Sequence, residues 1–322
     1  MNIITVEIVL TYRCNLKCAY CELAVFEKNG PEKEMSTDQL KDTFKKLELL
    51  GTERINISGG EPLLREDISE ILKDALSRSF KVSLTTNGVF VPENLKILKQ
   101  LDQLILSLDG TKTTHDSLRG QGSHESALKA LKLCKQNGIN VMISSVVTDK
   151  TSKDDLLYLL DVCENFKIKC IIQPMICGVY IDGTWVKFNK VDELKPSYAY
   201  LNLLFNFLKK DSRSKKIIGG KYYLDKVLKW YSKKEKNIAK EFNCMAGELF
   251  LCLSPSGNIM PCSMRCANSS KKKIWESSPQ ELRAVNNSKV QCEGCSCYTY
   301  MALNGFSRLD LSMVFHCMNS NN

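Results

Sequence analysis

Short apolar runs recur through the first half of the chain, at 6–12 (VEIVLTY), 53–58 (ERINIS), 81–86 (KVSLTT), 103–108 (QLILSL), 140–147 (NVMISSVV) and 168–174 (IKCIIQP). Their length and β-branched content predict strands. Between them the apolar positions switch to a helical period: Leu40, Phe44, Leu47 and Leu50, then Ile68, Ile71, Leu72, Ala75 and Leu76. Leu128 with Leu131, and Leu156, Leu157 and Leu160, mark two more helices. Ser36-Thr37-Asp38, and Ser152 with Asp155 three positions on, read as N-terminal caps. Six strand–helix units in about 175 residues predict an α/β fold with a parallel sheet, either open or a partial (β/α)6 TIM-like barrel.

In such folds ligands bind at the C-terminal ends of the strands. The distinctive short motifs all fall there. A cysteine triplet follows the first strand, GGEP the second, TTNG the third and SLDG the fourth, while Gln173 and Pro174 end the sixth. Their placement predicts a single site on one face. From 187 to about 240 the pattern is helical and lysine-rich, with apolar Leu201, Leu204, Phe205, Leu208, Tyr223, Val227 and Trp230. From 248 it becomes a hairpin, ELFLCLS–PSGN–IMPC, with Gly257 in the turn, followed by a short helix near 279–285.

Composition sharpens the picture in two places. The 322 residues carry a formal charge of +9, yet residues 187–240 alone hold 15 Lys and Arg against 5 Asp and Glu, a net of +10. One reading of this bridge is a solvated helix face; the sharper one is a docking surface for an acidic partner. Its aromatics fall near helical spacing, which favours packing over base stacking, so nucleic acid is disfavoured. No run approaches the 18 apolar residues of a membrane span, and MNIITVEIVLTYRC lacks a basic n-region and cleavage site, so a cytoplasmic location is expected.

The second feature is the count of 15 cysteines. In a reducing compartment these are expected to be metal ligands or reactive thiols rather than disulfides. Cys134, Cys163, Cys170 and Cys177 sit singly and read as packed thiols, with Cys177, just past the last strand, also a candidate hydrogen-atom donor. The other eleven fall at the two ends of the chain. Cys14, Cys18 and Cys21 form a CX3CX2C array on a loop after a strand. Three thiolates at that spacing can hold one corner of a cubane cluster and leave the fourth iron open. Structural zinc wants four closed ligands, and no nearby His completes such a set.

CNLKCAYC, GGEP and SLDG in this order resemble the radical S-adenosylmethionine (SAM) superfamily over roughly residues 5–175. The resemblance implies that Cys14, Cys18 and Cys21 hold a [4Fe–4S] cluster whose unique iron chelates SAM. It further implies that Gly59, Gly60 and Glu61 meet the methionine end, the glycines by close backbone approach and Glu61 by accepting from the ammonium. Ser107 and Asp109 would bond the ribose hydroxyls, and Tyr20 would lie near the adenine. Arg119 is a candidate for binding a carboxylate of SAM or substrate, with an ion pair as the plainer reading. The GQG at 120–122 lacks the third glycine and preceding strand of a dinucleotide fingerprint.

The C-terminal array adds a second resemblance. Cys244, Gly257 thirteen positions on and Cys262 form a Cys-X12-Gly-X4-Cys pattern like the start of the twitch and SPASM auxiliary-cluster domains. The resemblance implies one auxiliary [4Fe–4S] cluster on Cys244, Cys262, Cys292 and Cys295. Adding Cys252, Cys266, Cys297 and Cys317 gives enough cysteines for two, although CX2CXC departs from the SPASM spacing CX2CX5CX3C. The expected organisation is a barrel over 1–186, a basic helical bridge over 187–243 and a small cluster domain over 244–322.

The expected activity is reductive cleavage of SAM to a 5′-deoxyadenosyl radical that abstracts hydrogen from substrate, an oxidoreductase-type reaction. Relatives with auxiliary clusters often modify ribosomally made peptides, so peptide or protein maturation leads. The rivals are a small-molecule dehydrogenase or cofactor-biosynthesis enzyme, and a non-catalytic iron–sulfur scaffold. The 13 residues before Cys14 leave no room for an N-terminal leader-recognition domain on this reading. The implied electron donor is a reduced flavodoxin or ferredoxin, and no catalytic base can be named.

Overall fold

The computed structural model describes residues 3–21, 33–181, 184–188, 190–231, 246–263 and 273–283. Six strands alternate with helices in it: β1 (Thr5–Val9), α1 (Thr37–Leu49), β2 (Arg54–Ser58), α2 (Ile68–Leu76), β3 (Lys81–Thr86), α3 (Val91–Leu98), β4 (Gln103–Ser107), α4 (Lys112–Arg119), α5 (Ser123–Gln136), β5 (Val141–Val147), α6 (Lys153–Asn165) and β6 (Cys170–Pro174). All six strands are parallel and pair in chain order. Each coincides with an expected apolar run. The caps form as expected: Ser36 makes a capping box with Gln39 at the start of α1, and Ser152 with Asp155 at the start of α6. The sequence pattern did not mark α3 or α4.

The chain continues through β7 (Gly178–Ile181), β8 (Thr184–Lys187), α7 (Val191–Leu194), α8 (Tyr198–Lys210), α9 (Gly220–Tyr231), β9 (Phe250–Leu253), β10 (Ile259–Met260) and α10 (Pro279–Arg283). The hairpin expected beyond residue 248 is β9 and β10. Strand β9 pairs parallel with β1, so the order of the eight-stranded sheet is β10-β9-β1-β2-β3-β4-β5-β6. The barrel sheet therefore extends past its first strand. Strands β7 and β8 form a separate antiparallel pair, closed at its base by Phe188 N–H donating to the Cys177 carbonyl at 3.0 Å.

Strand alternation divides the residues between two faces. Val6, Ile8, Ile55, Ile57, Val82, Leu84, Leu104, Leu106, Ile143 and Ile172 are fully buried in the helix-side core, with Leu40, Phe44 and Leu47 of α1 among the side chains covering them. The alternate positions on the other face are mixed: Val9, Ile105, Met142, Val146 and Ile171 stand among Glu7, Asn56, Ser58, Ser83, Thr85, Ser107, Ser144 and Gln173. Burying so many polar groups against apolar atoms would be costly, so this face suits a polar chamber. Ser58 Oγ donates to Glu7 Oε1 at 2.9 Å, and Ser83 Oγ to Asn56 Oδ1 at 3.0 Å.

The described part of the basic bridge, residues 190–231, is mostly helical. Leu201, Leu204, Phe205, Leu208, Tyr223 and Val227 bury one side of α8 and α9 in the main core. Several of its cations have partners: Lys209 with Asp225, Lys216 with Glu164, and Arg213 with Asp211. The segment 273–283 is tied to α1 by Lys46, whose ammonium donates to the carbonyls of Ile274, Trp275 and Ser277 at 3.0, 2.9 and 2.7 Å. Gly257 lies against the Trp275 ring with φ +80°, where a Cβ would come within 2.4 Å of a ring carbon. Among the described residues no helix is long and apolar enough to cross a membrane.

Candidate active site

The cysteine loop leaves β1 still hydrogen-bonded to the end of β2. Leu10 N–H donates to Ser58 O at 2.9 Å, Gly60 N–H to Thr11 O at 2.8 Å and Glu61 N–H to Arg13 O at 2.9 Å. The two backbones approach so closely that side chains are excluded. A Cβ on Gly59, which has φ +138°, would lie 2.4 Å from Thr11 O, and one on Gly60 2.1 Å from Arg13 O. The close approach expected of these glycines is thus made in this structure to the chain's own cysteine loop.

Cys14, Cys18 and Cys21 are half-buried, unlike the fully buried Cys134, Cys163 and Cys170. The loop is fixed by Cys21 N–H donating to Cys18 O at 3.0 Å and Ala19 N–H donating to Leu118 O at 2.7 Å. Leu16 N–H donates to Cys14 Sγ at 3.5 Å, and Asn87 Nδ2 reaches the same sulfur at 3.9 Å and Asn15 Oδ1 at 2.8 Å. Burial raises the Cys14 and Cys18 thiols above their ordinary pKa, so metal binding there must expel protons. Among the described residues no three His, Cys, Asp or Glu side chains converge on a single metal-ion position. A cubane asks something different, one thiolate for each of three irons, and three half-buried thiols on one loop, with N–H donors at the Cys14 sulfur, fit that donor set.

Glu61 is fully buried. Its carboxylate accepts from Leu63 N–H at 3.1 Å, Thr86 Oγ1 at 2.8 Å and Asn87 N–H at 2.8 Å, joining the GGE turn to the end of β3. Burial raises its pKa from 4.5 to about 7, because the three donors only partly offset desolvation. A carboxyl with a folded pKa above its unfolded value stabilises most below the unfolded pKa, and that contribution is lost as pH rises through the folded one. The cluster-free chain is expected to lose on the order of 3 kcal/mol more stability than Glu61→Gln between about pH 4.5 and 7, measured by urea unfolding. Parallel profiles for the two chains would refute this.

Asp109 is also fully buried and has four donors. Arg119 Nε and Tyr20 Oη donate to Oδ2 at 2.6 and 2.5 Å, and Arg119 Nη2 and Val146 N–H to Oδ1 at 3.1 and 3.0 Å. Burial alone would raise this carboxyl, but the Arg119 charge and these hydrogen bonds outweigh it and hold the pKa below the usual range. The Arg119 guanidinium also lies over the Tyr20 ring, 5.5 Å from its centroid. Arg119 Nη1 and the Ser107 hydroxyl have no hydrogen-bond partner among the described residues. His115 Nδ1 accepts from Asp109 N–H at 3.0 Å, and burial lowers its pKa to about 4, so the ring is neutral. Asp155 fixes the same turn by accepting from Thr111 N–H at 2.9 Å and Thr111 Oγ1 at 2.6 Å.

The structure thus brings Cys14, Cys18, Tyr20, Cys21, Gly59, Gly60, Glu61, Ser107, Asp109 and Arg119 together at the C-terminal end of the sheet. It puts Glu61 and Asp109 at internal hydrogen-bonded positions, with Arg119 and Ser107 nearer to open donors. Asn87 and His115 were not singled out by the sequence reading. TTNG offered a signal for the first; for the second there was none. Cys177, half-buried, donates to Met175 O at 3.6 Å and shares an apolar cluster with Tyr20 and Cys262. Cys252 is fully buried against Val9 and Met260. Cys244, Cys266, Cys292, Cys295, Cys297 and Cys317 lie outside the described residues.

Comparison with known proteins bears on the family and the fold. Residues 8–163 match the family model of the Radical SAM superfamily. The AdoMet-dependent heme synthase of Methanosarcina barkeri is 25% identical over 327 residues, covering 91% of each chain. The mycofactocin maturase MftC of Mycolicibacterium smegmatis is 37% identical over 151 residues, 46% of this chain and 38% of that protein. Among solved structures, anSMEcpe with bound AdoMet and the Kp18Cys peptide superposes with a TM-score of 0.65 at 18% identity, covering 97% of this chain and 99% of that one. The aligned regions span about half the length of several curated relatives.

Proposed function

Since the chain belongs to the radical SAM superfamily, whose cofactors are a [4Fe–4S] cluster and SAM, we propose that it is a peptide- or protein-maturing member. When bound, the cluster and SAM would supply a 5′-deoxyadenosyl radical that takes a hydrogen atom from a substrate C–H bond, giving 5′-deoxyadenosine. The observation that carries this reading is the convergence of three half-buried thiols with the Asp109–Arg119–Tyr20 group at the C-terminal ends of the strands. Cys14, Cys18 and Cys21 would hold the cluster. Asp109 fixes Arg119, whose Nη1 is the donor best placed to meet a carboxylate of SAM or substrate. Tyr20, kept protonated by burial, presents its ring beside that cation. Ser107 offers a hydroxyl to a ribose, and Gly59 and Gly60 let the GGE strand lie against the cysteine loop. The scaffold reading is set aside, because the superfamily relatives are enzymes.

Peptide maturation draws support from the mycofactocin maturase and from the peptide bound in anSMEcpe. A second reading, a small-molecule enzyme acting in tetrapyrrole or other cofactor synthesis, is favoured by the alignment of the heme synthase over nearly the whole chain. One auxiliary cluster on Cys244, Cys262, Cys292 and Cys295, a reduced flavodoxin or ferredoxin as electron donor and a cytoplasmic location complete the proposal. The reconstituted chain is expected to release 5′-deoxyadenosine above its uncoupled rate, and to change the peptide's mass, with a short peptide encoded beside its own gene. Stimulation by iron-coproporphyrin instead would sink the peptide reading and support the second.

A further inference from the structure

A charged group at the base of the cysteine loop has no place in the substrate or SAM contacts above. Arg65, only 6% exposed, lies four positions past Glu61 and directly after the short helical turn Pro62–Leu64. A guanidinium has five N–H bonds. Here Nε donates to Asp67 Oδ1 at 2.9 Å, Nη1 to Leu10 O at 3.5 Å and Glu34 Oε2 at 3.4 Å, and Nη2 to Met35 O at 3.0 Å and Asp67 Oδ2 at 2.7 Å. All five are used. Glu34 is the second centre: besides Arg65 it accepts from Thr11 Oγ1 and from Arg13, through Nε at 3.0 Å and Nη2 at 3.2 Å. Thr37 Oγ1 donates to Asp67 at 2.6 Å and holds the far side of the group.

The partners fall on both sides of the thiols. Leu10, Thr11 and Arg13 precede Cys14, whereas Glu34 and Met35 follow Cys21 by more than a dozen positions. One buried arginine and one carboxylate therefore join the entry and the exit of the segment that carries all three cysteines. Closing a long segment at its neck reduces the conformational freedom its thiols must lose on meeting a metal. The two guanidiniums and two carboxylates also balance, so the neck adds no net charge beside the thiolates.

We propose that Arg65 and Glu34 form a clasp that positions Cys14, Cys18 and Cys21 and governs how firmly their cluster is retained, an inference that rests on the superfamily reading of these thiols. Arg65 and Glu34 touch no reacting atom; they act through the loop. The clasp makes Glu34 the better probe, because its side chain is 23% exposed and its removal leaves the main core untouched.

The test is iron release to a chelator from the reconstituted full-length chain, followed together with the melting temperature. The phase belonging to the cysteine triplet is the one missing from a Cys14→Ala/Cys18→Ala/Cys21→Ala chain. Glu34→Ala is expected to speed that phase about tenfold or more, the factor that roughly 1.4 kcal/mol represents, with the melting temperature nearly unchanged. Arg13→Ala added to Glu34→Ala should do little more, since both act through the same carboxylate. Glu34→Asp should restore part of the retention. An unchanged release rate in a folded Glu34→Ala chain would overturn the clasp and leave the superfamily reading intact. A collapse of the melting temperature would overturn it too, by making Glu34 a general structural tie. If the parent triplet takes up no iron at all, both the reading and the clasp fail. Arg65→Gln is informative when folded and is expected to release iron faster still.

Discussion

A Cys14→Ala/Cys18→Ala/Cys21→Ala chain is expected to make no detectable 5′-deoxyadenosine from SAM and dithionite, yet to retain roughly four irons after anaerobic reconstitution, since one cubane holds four. The loss follows from the donor set. The three thiols are half-buried on one loop, and burial holds Cys14 and Cys18 in the protonated state until a metal displaces the proton. Alanine offers iron no anionic ligand, and among the described residues no other cluster of His, Cys, Asp or Glu can take their place. The retained iron would belong to the C-terminal cysteines. Roughly eight irons would mean two auxiliary clusters there and revive Cys252, Cys266, Cys297 and Cys317 as ligands. No iron left would remove the auxiliary cluster from the proposal and leave those cysteines to zinc or packing. Undiminished 5′-deoxyadenosine formation would overturn the assignment of the triplet itself.

Strand positions and the location of the site were legible because both follow from local pattern. Apolar, β-branched runs mark all six strands, so the elements could be read from the sequence, while the face each residue turns to the core came from the fold. The motifs at the strand ends then met at one end of the sheet, as a parallel sheet requires. Partnering over long sequence distance was not legible. Nothing in ELFLCLS announces that Phe250–Leu253 pairs parallel with Thr5–Ile8. The β7–β8 pair could have been found, since Asp182-Gly183 sits between β-forming residues, a standard hairpin signal that the helical reading from 187 onward overshadowed.

Polar residues were harder to read. Glu61 and Asp109 stood out by motif, and their ligand roles came from the family resemblance. The fold adds what the motif does not show: both are buried, Glu61 joins two loops through three donors, and Asp109 receives four, two of them from Arg119. Conversely, Arg65 and Asp67 in LLRED look like the charged start of a surface helix. Only the fold reveals that Arg65 is buried beneath residues 10–13 and 34–35. A sequence shows which groups can carry charge, and the packing around them shows whether that charge faces a ligand or the protein's own backbone.

Gly60→Ala is the second change expected to have a large effect, and it separates backbone packing from thiol chemistry because every cysteine stays in place. The added Cβ would sit 2.1 Å from Arg13 O, 2.6 Å from Arg13 C and 2.8 Å from Tyr12 O, all backbone atoms with no rotamer to relieve the overlap. Either the GGE turn or the cysteine loop must move, and both hydrogen bonds between them, Gly60 N–H to Thr11 O and Glu61 N–H to Arg13 O, stand to be lost. Overpacking and the lost bonds together cost about 3 kcal/mol, which corresponds to a melting temperature lower by roughly 5–10 °C. Iron bound by the triplet should fall in the same variant, because the loop that shifts is the one carrying Cys14. Gly138→Asn is the matching control: its φ of +70° suits asparagine, and a Cβ there meets nothing within 4 Å. It should melt within a few degrees of the parent and keep its full iron. A Gly60→Ala chain that melts like the parent and binds iron normally would show that the two backbones can separate without consequence, and that the glycine pair is not what holds the cysteine loop against the sheet.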